Sequence, residues 1–309
     1  MIISILGSSA GGGFPQWNCN CANCRAVRAG APGYSARTQS SLAVRADGAN
    51  WLLLNASPDL RQQIAAHAAL TPSEAGGARS SPIKAVALTN GDVDHIAGLL
   101  NLRERQAFDV YASRRVLDVL KSNSIFDILA PDLVRRVELP LGTPLPIHGG
   151  GVSLGLTIEA FAAPGKVALY LEDLNAPNLG TQEGDTLGLR VTEDATGKSF
   201  IYLPGCARLD APLAERLRGA ELVFCDGTLW SENEMLEQGL MPKTGSRMGH
   251  MNMSGPQGSI AAFEPLNVRR KVFIHLNNSN PVLDANSPER AAANAAGWLI
   301  GEDGMGFEL

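Results

Sequence analysis

Thr89-Asn90-Gly91-Asp92-Val93-Asp94-His95-Ile96-Ala97-Gly98 gathers two carboxylates and an imidazole directly behind Lys84 to Leu88, an apolar run with β-branched Val86 that reads as a strand. The segment that follows, Ile96 to Arg105, has helical spacing through Leu99, Leu100 and Leu102. Side chains at such a strand-to-helix turn project together from a rigid base, and Asp with His is a ligand set for a divalent ion. Taken alone, the residues fit equally an Asp that caps a helix beside a hydrogen-bonded surface His.

Outward from this turn, the composition narrows the class. A chain of 309 residues with 45% hydrophobic content can bury a sizeable core, and one domain over residues 1–309 is expected. Only 18% of residues are charged and the formal net charge is −5, which argues against a polyanion-binding surface and against nucleic acid as partner. Met1 to Leu6 is apolar but lacks the basic start and long apolar core of a secretory signal, so it reads as a first strand. No apolar run reaches membrane-spanning length, and a cytoplasmic protein with no membrane partner is the expectation.

Before the turn, Gly7 to Gly13 is a Gly-rich loop without G-x-G-x-x-G spacing or a following amphipathic helix, which argues against a dinucleotide site and for close backbone packing. Cys19-Asn20-Cys21-Ala22-Asn23-Cys24 follows. Three of the five cysteines lie within six residues, where disulfides would be strained and thiolate ligation of a structural zinc ion fits better. Ser41 to Ala46 and Trp51 to Asn55 read as a hairpin across Asp47-Gly48-Ala49-Asn50. Ser57 is expected to cap a helix reaching Ala69, with His67 a surface residue, and Thr71 to Pro82 reads as a loop.

After the turn, strand and helix signals alternate: Phe108 to Ala112, Arg114 to Lys121, then an extended Val137 to Leu141. Val152 to Ala163 has period-two alternation and should end near the metal site, with His148 in a loop before it. Leu187 to Thr192 and Ser199 to Leu203 form a second hairpin, followed by Cys206 as a small buried residue. Leu222 to Thr228 is a buried strand carrying Asp226 at its end. Arg247 to Ser254 is a loop with His250 before a helix from Pro256 to Phe263, and Lys271 to Ile274 is a strand carrying His275.

Thr89 to Leu99 resembles the signature T-H-x-H-x-D-H-x-x-G-L of the metallo-β-lactamase superfamily, with Thr89, Asp94, His95, Gly98 and Leu99 on matching positions. Asn90 and Asp92 stand where the first two histidines belong, no His lies between His148 and His250, and Pro204-Gly205-Cys206 occupies the place of the bridging Asp. The resemblance implies an α/β fold, the four-layered αββα sandwich, with one of two metal sites crippled. A small subclass carries a similar cysteine motif as a structural zinc site, with a His as fourth ligand; this chain has His275-Leu276-Asn277-Asn278-Ser279 in that region. Similarity to the ribonuclease Z-like branch implies Asp226 and His250 as a proton-handling pair and His275 as a metal ligand.

What remains is His95, His275 and a carboxylate from Asp92 or Asp94, a set that matches the two-His-one-carboxylate pattern of non-haem Fe(II) oxygenases. Within the superfamily the chain resembles the branch serving pyrroloquinoline quinone (PQQ) biosynthesis. That implies an amino-acid-derived PQQ precursor as small-molecule substrate: the tyrosine of a Glu-Tyr unit, hydroxylated with Fe2+ or another divalent ion in the site. A single-metal hydrolase and a carrier assisting transport of PQQ or its precursor are the rival readings. The cysteine loop, with Phe14, Pro15 and Trp17 beside it, offers apolar anchors for a homodimer contact.

Overall fold

The computed structural model describes residues 1–46 and 48–309. Among them fourteen strands form: β1 (Ile2–Gly7), β2 (Ser41–Arg45), β3 (Trp51–Leu54), β4 (Ile83–Ala87), β5 (Phe108–Ala112), β6 (Val134–Glu138), β7 (Leu145–Gly149), β8 (Val152–Ala162), β9 (Leu187–Glu193), β10 (Ser199–Leu203), β11 (Leu222–Asp226), β12 (Arg270–Ile274), β13 (Trp298–Ile300) and β14 (Gly306–Glu308). They make two seven-stranded sheets, ordered β14-β1-β2-β3-β4-β5-β6 and β13-β12-β11-β10-β9-β8-β7. Each sheet is part antiparallel and part parallel, the parallel parts being β3 to β6 and β10 to β13.

Strands that are apolar on both faces need cover on both. Leu52 and Leu54 of β3 enter the core between the sheets while Leu53 faces outward; Phe200 and Tyr202 of β10 point in, Ile201 and Leu203 out. In β8, Leu154, Leu156, Ile158 and Ala160 point inward, and a one-residue slip would bury Glu159 in their place. Helices Leu60–Ala66 and Arg114–Ser122 cover the outer face of the first sheet through Leu60, Val116 and Leu120. Helices Ala211–Leu217, Ser259–Phe263 and Pro288–Ala295 cover the second through Leu213, Phe263 and Ala293. The layers are therefore helix, sheet, sheet, helix, the αββα sandwich that the resemblance implied. No helix among the described residues is long and apolar enough to cross a membrane.

Where local structure departs from the sequence expectation, tertiary contacts explain it. The helix expected over Ile96 to Arg105 is one α-turn, Val93–Ile96, continued as a 3₁₀ segment, Ala97–Leu102. Gly98 there packs so closely on the Ala56-Ser57 backbone that a Cβ would lie 2.1 Å from the Ser57 oxygen. Ser57 is not a cap: its hydroxyl donates to Gln63 Oε1 at 3.1 Å, and the helix runs only from Leu60 to Ala66. His67 is half-buried rather than a surface residue, its ring edge-on to Trp51 at 5.5 Å. His148 lies in β7, not in a loop, and the strand expected at Val137 to Leu141 is β6, shifted toward the N-terminus by pairing with β5. The helix expected from Pro256 begins at Ser259, and a short helix, Gly245–Met248, interrupts the loop before His250. The first hairpin forms from β2 and β3, with Asp47 of its turn outside the described residues.

The Gly-rich loop after β1 is pinned. Ser8 N and Oγ donate to Asp303 Oδ1 at 2.9 and 2.8 Å, and Ala10 N donates to the Leu276 carbonyl at 2.8 Å. This brings Gly11 against the metal turn, where a Cβ on it would stand 3.4 Å from the Asp94 carboxylate. Phe14, expected as an exposed anchor, is buried in the core under the second sheet, whereas Trp17 is 85% exposed.

Candidate metal centre

The site assembles where β4, β11 and β12 end, at the C-terminal edge of parallel strands from both sheets, the usual place for ligands in open α/β architectures. Beyond β4, Asn55 clamps the turn: its Oδ1 accepts from Thr89 N at 2.9 Å and its Nδ2 donates to Thr89 Oγ1 at 3.0 Å. Asp94 and His95 follow on the α-turn. His275, directly after β12, is buried with φ 58°, a left-handed conformation uncommon for a non-glycine residue. Bonds from Leu276 N to the Ser8 carbonyl, 2.9 Å, and from Asn277 N to the Thr228 carbonyl, 3.0 Å, hold it there and aim the ring into the site.

Asp94 Oδ2 lies 3.1 Å from His275 Nε2 and 3.8 Å from His95 Nε2. Ligands about 2.0–2.2 Å from one divalent ion stand roughly 3.0–3.5 Å apart, so this spacing fits an ion shared by the three. His95 Nε2 is buried without a hydrogen-bond partner, an arrangement that costs free energy unless something binds the lone pair. Its other nitrogen, Nδ1, is 2.6 Å from Asn90 Oδ1, which also accepts from Asp92 N at 2.9 Å. Asn90 Oδ1 is thus an acceptor, His95 Nδ1 carries the proton, and Nε2 presents its lone pair to the cluster. The residue standing where the superfamily has its first histidine orients the histidine that remains.

Thr228, which the sequence reading gave no role, does the same for His275. Its hydroxyl donates to Asp226 Oδ1 at 2.7 Å, which leaves oxygen lone pairs to accept from His275 Nδ1 at 2.9 Å. Only the threading of β11 beside β12 brings Thr228 there, so residue spacing gave no signal for it. Asp226 Oδ2 accepts from His250 Nδ1 at 2.6 Å and from Cys206 N at 2.9 Å. Asp226 and His250 are therefore joined by a hydrogen bond, and Cys206, buried at the place of the bridging Asp, contributes its backbone rather than its thiol. Asp92 lines the cavity, but its Oδ1 accepts from Leu169 N at 3.0 Å and it is not among the clustered donors.

Burial disfavours a charged imidazole at His95 and lowers its pKa, which keeps it in the ligand form. Burial also opposes the Asp94 charge, yet His95 and His275 outweigh it and hold that carboxyl well below the usual range. At His275 burial opposes protonation, but Asp94 prevails and raises the pKa. The surrounding carboxylates favour a positive charge at this point, whether a proton or a metal ion.

The cluster opens on a cavity of about 250 Å³ that also takes in Lys166, Leu169, Lys243, Met248 and His250. Lys166 Nζ binds Glu172 at 3.0 Å, and Arg247 binds the same carboxylate at 2.9 Å. Hydrogen bonding from Arg247, then Lys166, holds Glu172 down to about 2. Lys243 makes no hydrogen bond or ion pair among the described residues. Lys243 is thus the cation of this cavity that no carboxylate answers among the described residues.

The second cluster is Cys19, Cys21 and Cys24, all free thiols whose sulfur atoms lie within 4.8 Å of one another. Cys21 Sγ accepts from Cys24 N at 3.5 Å as cap of the helix Ala22–Arg28, and Cys19 Sγ accepts from Cys21 N at 3.4 Å. Burial opposes a thiolate at Cys19, yet hydrogen bonds from Cys21, Cys24 and Asn278 prevail and lower its pKa, whereas burial pushes the Cys24 thiol up to about 11; three converging sulfurs suit zinc.

An αββα sandwich with a His-Asp-His cluster at its edge defines a protein of the β-lactamase superfamily, and the model of the Beta-lactamase superfamily domain matches residues 50–276. Coenzyme PQQ synthesis protein B of Xanthomonas oryzae pv. oryzae (strain MAFF 311018) is 52% identical over 310 residues, covering 100% of both chains. That of Gluconacetobacter diazotrophicus is 53% identical over 302 residues, 97% of each. The crystal structure of Zn(2+)-bound PqqB from Methylobacterium extorquens matches with a TM-score of 0.93 at 46% identity, covering 100% of both chains. The chain belongs to the coenzyme PQQ synthesis protein B family.

Proposed function

We propose that this protein is a metal-dependent enzyme of PQQ biosynthesis that hydroxylates a phenol, the tyrosine ring of a Glu-Tyr-derived intermediate. The observation that carries the reading is the donor set: Asp94, His95 and His275 converge on one point, and the neighbouring group of Asp226 and His250 can reach three donors only by sharing His275. A two-ion hydrolase needs two ions clamped by a bridging ligand, and the bridging place is taken by Cys206. Two imidazoles and one carboxylate with open positions suit non-haem Fe(II).

Held by Asp94, His95 and His275, such an ion supplies the one-electron chemistry that lets O2 react with a ring carbon. In balance, one oxygen atom replaces a ring hydrogen as hydroxyl and the other leaves as water, with two electrons and two protons from an external reductant of the ascorbate class. His250, whose Nδ1 is bonded to Asp226, has Nε2 left to take a proton from the phenol. Leu169 and Met248 give the ring an apolar wall, and Lys166 and Lys243 suit carboxylates on the substrate.

The test is anaerobic loading with Fe(II) or Zn(II), then O2 uptake with glutamyl-tyrosine and ascorbate. Uptake with hydroxylated product under iron and none under zinc is the expected result. Equal turnover under both metals points to a hydrolase instead, and saturable PQQ binding with no turnover under either points to a carrier.

A further inference from the structure

We infer that Met241 and Met248 are an oxidation-sensitive pair in the wall of the active-site cavity, converted by peroxide to methionine sulfoxide with loss of affinity for a phenol. The susceptibility of the two sulfurs rests on their placement alone, whereas a source of peroxide inside the site rests on the oxygenase reading above.

Five of the seven methionines, Met235, Met241, Met248, Met251 and Met253, fall between residues 235 and 253. Of these, Met241 and Met248 line the cavity that holds Asp94, His95 and His275, and Met251 does not. Met241 is 39% exposed and Met248 half-buried, and neither sulfur receives a hydrogen bond among the described residues. Both also line the wider cavity of about 880 Å³ beside it, which admits a small oxidant from solvent. The other sulfurs are shielded. Asn277 Nδ2 donates to Met235 Sδ at 3.2 Å, Asn280 Nδ2 to Met253 Sδ at 3.4 Å and Glu302 N to Met305 Sδ at 3.2 Å, and Met235 and Met253 are buried. Cys206 and Cys225, the thiols beside Asp226, offer no competing target: burial pushes Cys206 up to about 12 and Cys225 well above its ordinary value, so both stay protonated and react slowly with peroxide.

When O2 takes up two electrons and two protons without reaching a substrate ring, the product is hydrogen peroxide, the electrons coming again from the ascorbate-class reductant. A thioether sulfur attacks one peroxide oxygen; the S–O bond forms as the O–O bond breaks, sulfur is oxidised by two electrons, and the other oxygen leaves as water. A polar S–O group then stands where an apolar, polarizable side chain faced the phenol, and the sulfur–aromatic contact is lost. Sulfoxide therefore accumulates when O2 and reductant outrun the phenol, and methionine sulfoxide reductases reverse it.

The experiment has two arms, each read by peptide mass spectrometry. In the first, the zinc-loaded full chain is exposed to hydrogen peroxide. One oxygen is expected on Met241 and on Met248 roughly tenfold sooner than on Met235, Met253 or Met305. The Kd for glutamyl-tyrosine, measured by titration without turnover, should rise roughly two- to tenfold and return to its starting value after treatment with sulfoxide reductases of both epimer specificities. The double variant Met241→Leu, Met248→Leu should keep its own Kd through the same exposure. Oxidation spread evenly over the methionines, or sulfoxides at both positions with an unmoved Kd, overturns the inference. In the second arm, the Fe(II)-loaded chain receives O2 and ascorbate without phenol, with catalase in the solution to remove escaping peroxide. The same two sulfoxides should form, and His275→Ala, lacking the ion, should form none. Sulfoxides in the first arm and none in the second count against the oxygenase reading as the source of peroxide and leave Met241 and Met248 as the oxidised pair.

Discussion

The two clusters reach a similar end by opposite routes. Cys19, Cys21 and Cys24 are neighbours in the chain, and a short helix capped by Cys21 brings them together. The Asp94-His95 pair and His275 are separated by most of the chain and meet only because β4 and β12, in different sheets, end at the same edge. The local cluster has soft donors, and the buried Asn278 amide covers it. The distributed one has hard and borderline donors facing a cavity of about 250 Å³. Chemistry on a substrate needs the second kind, in which the scaffold fixes the ligands and leaves room beside the ion, whereas a loop needing only a fixed shape can use the first.

The largest expected effects come from removing one ligand from each cluster. His275→Ala should eliminate the active-site ion and leave the cysteine-bound zinc, read by metal analysis of the purified protein. Cys21→Ser should do the reverse and, if the exposed Trp17 beside the loop serves a homodimer contact, shift the protein toward monomer or aggregate in sedimentation. Loss of both ions in either variant would show that the clusters are not independent.

A second pair of changes tests how the distributed site is aimed. Asn90→Ala and Thr228→Val remove the groups bonded to the far nitrogens of His95 and His275. Each should weaken active-site metal binding by roughly 10–100-fold, the usual cost of losing such an outer partner. Thr228→Ser, which keeps the hydroxyl, should restore affinity, while zinc at the cysteines should stay constant throughout. Gly98→Ala sharpens the contrast from farther away. Its Cβ collides with the Ser57 carbonyl, so stability should fall by about 1–3 kcal/mol in urea unfolding, with the active-site ion loosened and the cysteine site untouched.

The same contrast governs what was legible in the sequence. Cysteine spacing announced a soft-metal site by itself, and the alternation in β8 and the apolar runs of β4 and β11 were enough to expect layered sheets. Asp94, His95, Asp226, His250 and His275 were each weak in isolation and were recognisable by their order along the chain. What could not be read were contacts between distant segments: Thr228 against His275, Asn90 turned back onto His95, Asn278 over the cysteines. An Asn in place of a His looks like a lost ligand until the fold shows which nitrogen it orients. Asp92 illustrates the converse: a carboxylate of the signature, it lines the cavity with its Oδ1 bonded to Leu169 N and stands outside the group of clustered donors. The 3₁₀ segment after His95 was hidden for a related reason: Gly98 packs on the Ala56-Ser57 backbone, a contact that periodicity cannot register.

The smallest expected effect concerns the rim that only the open cluster possesses. Lys166 shares Glu172 with Arg247, so part of its charge is already answered, whereas Lys243 stands half-buried at the cavity with no ion pair among the described residues. A substrate carboxylate there would gain a charge-assisted hydrogen bond, worth about 1.5 kcal/mol or somewhat more in a partly desolvated place. Lys243→Met keeps the apolar stem and removes the charge. With glutamyl-tyrosine as substrate it should raise KM roughly tenfold and leave kcat and the active-site metal content near parental values, because the lost contact is made equally in the ground and transition states. Raising ionic strength should narrow the gap between parent and variant, since salt screens the parent's attraction and leaves the variant little to lose. A KM that does not change, or a fall in kcat with KM constant, would remove Lys243 from substrate binding and leave its charge as a feature of the surface alone.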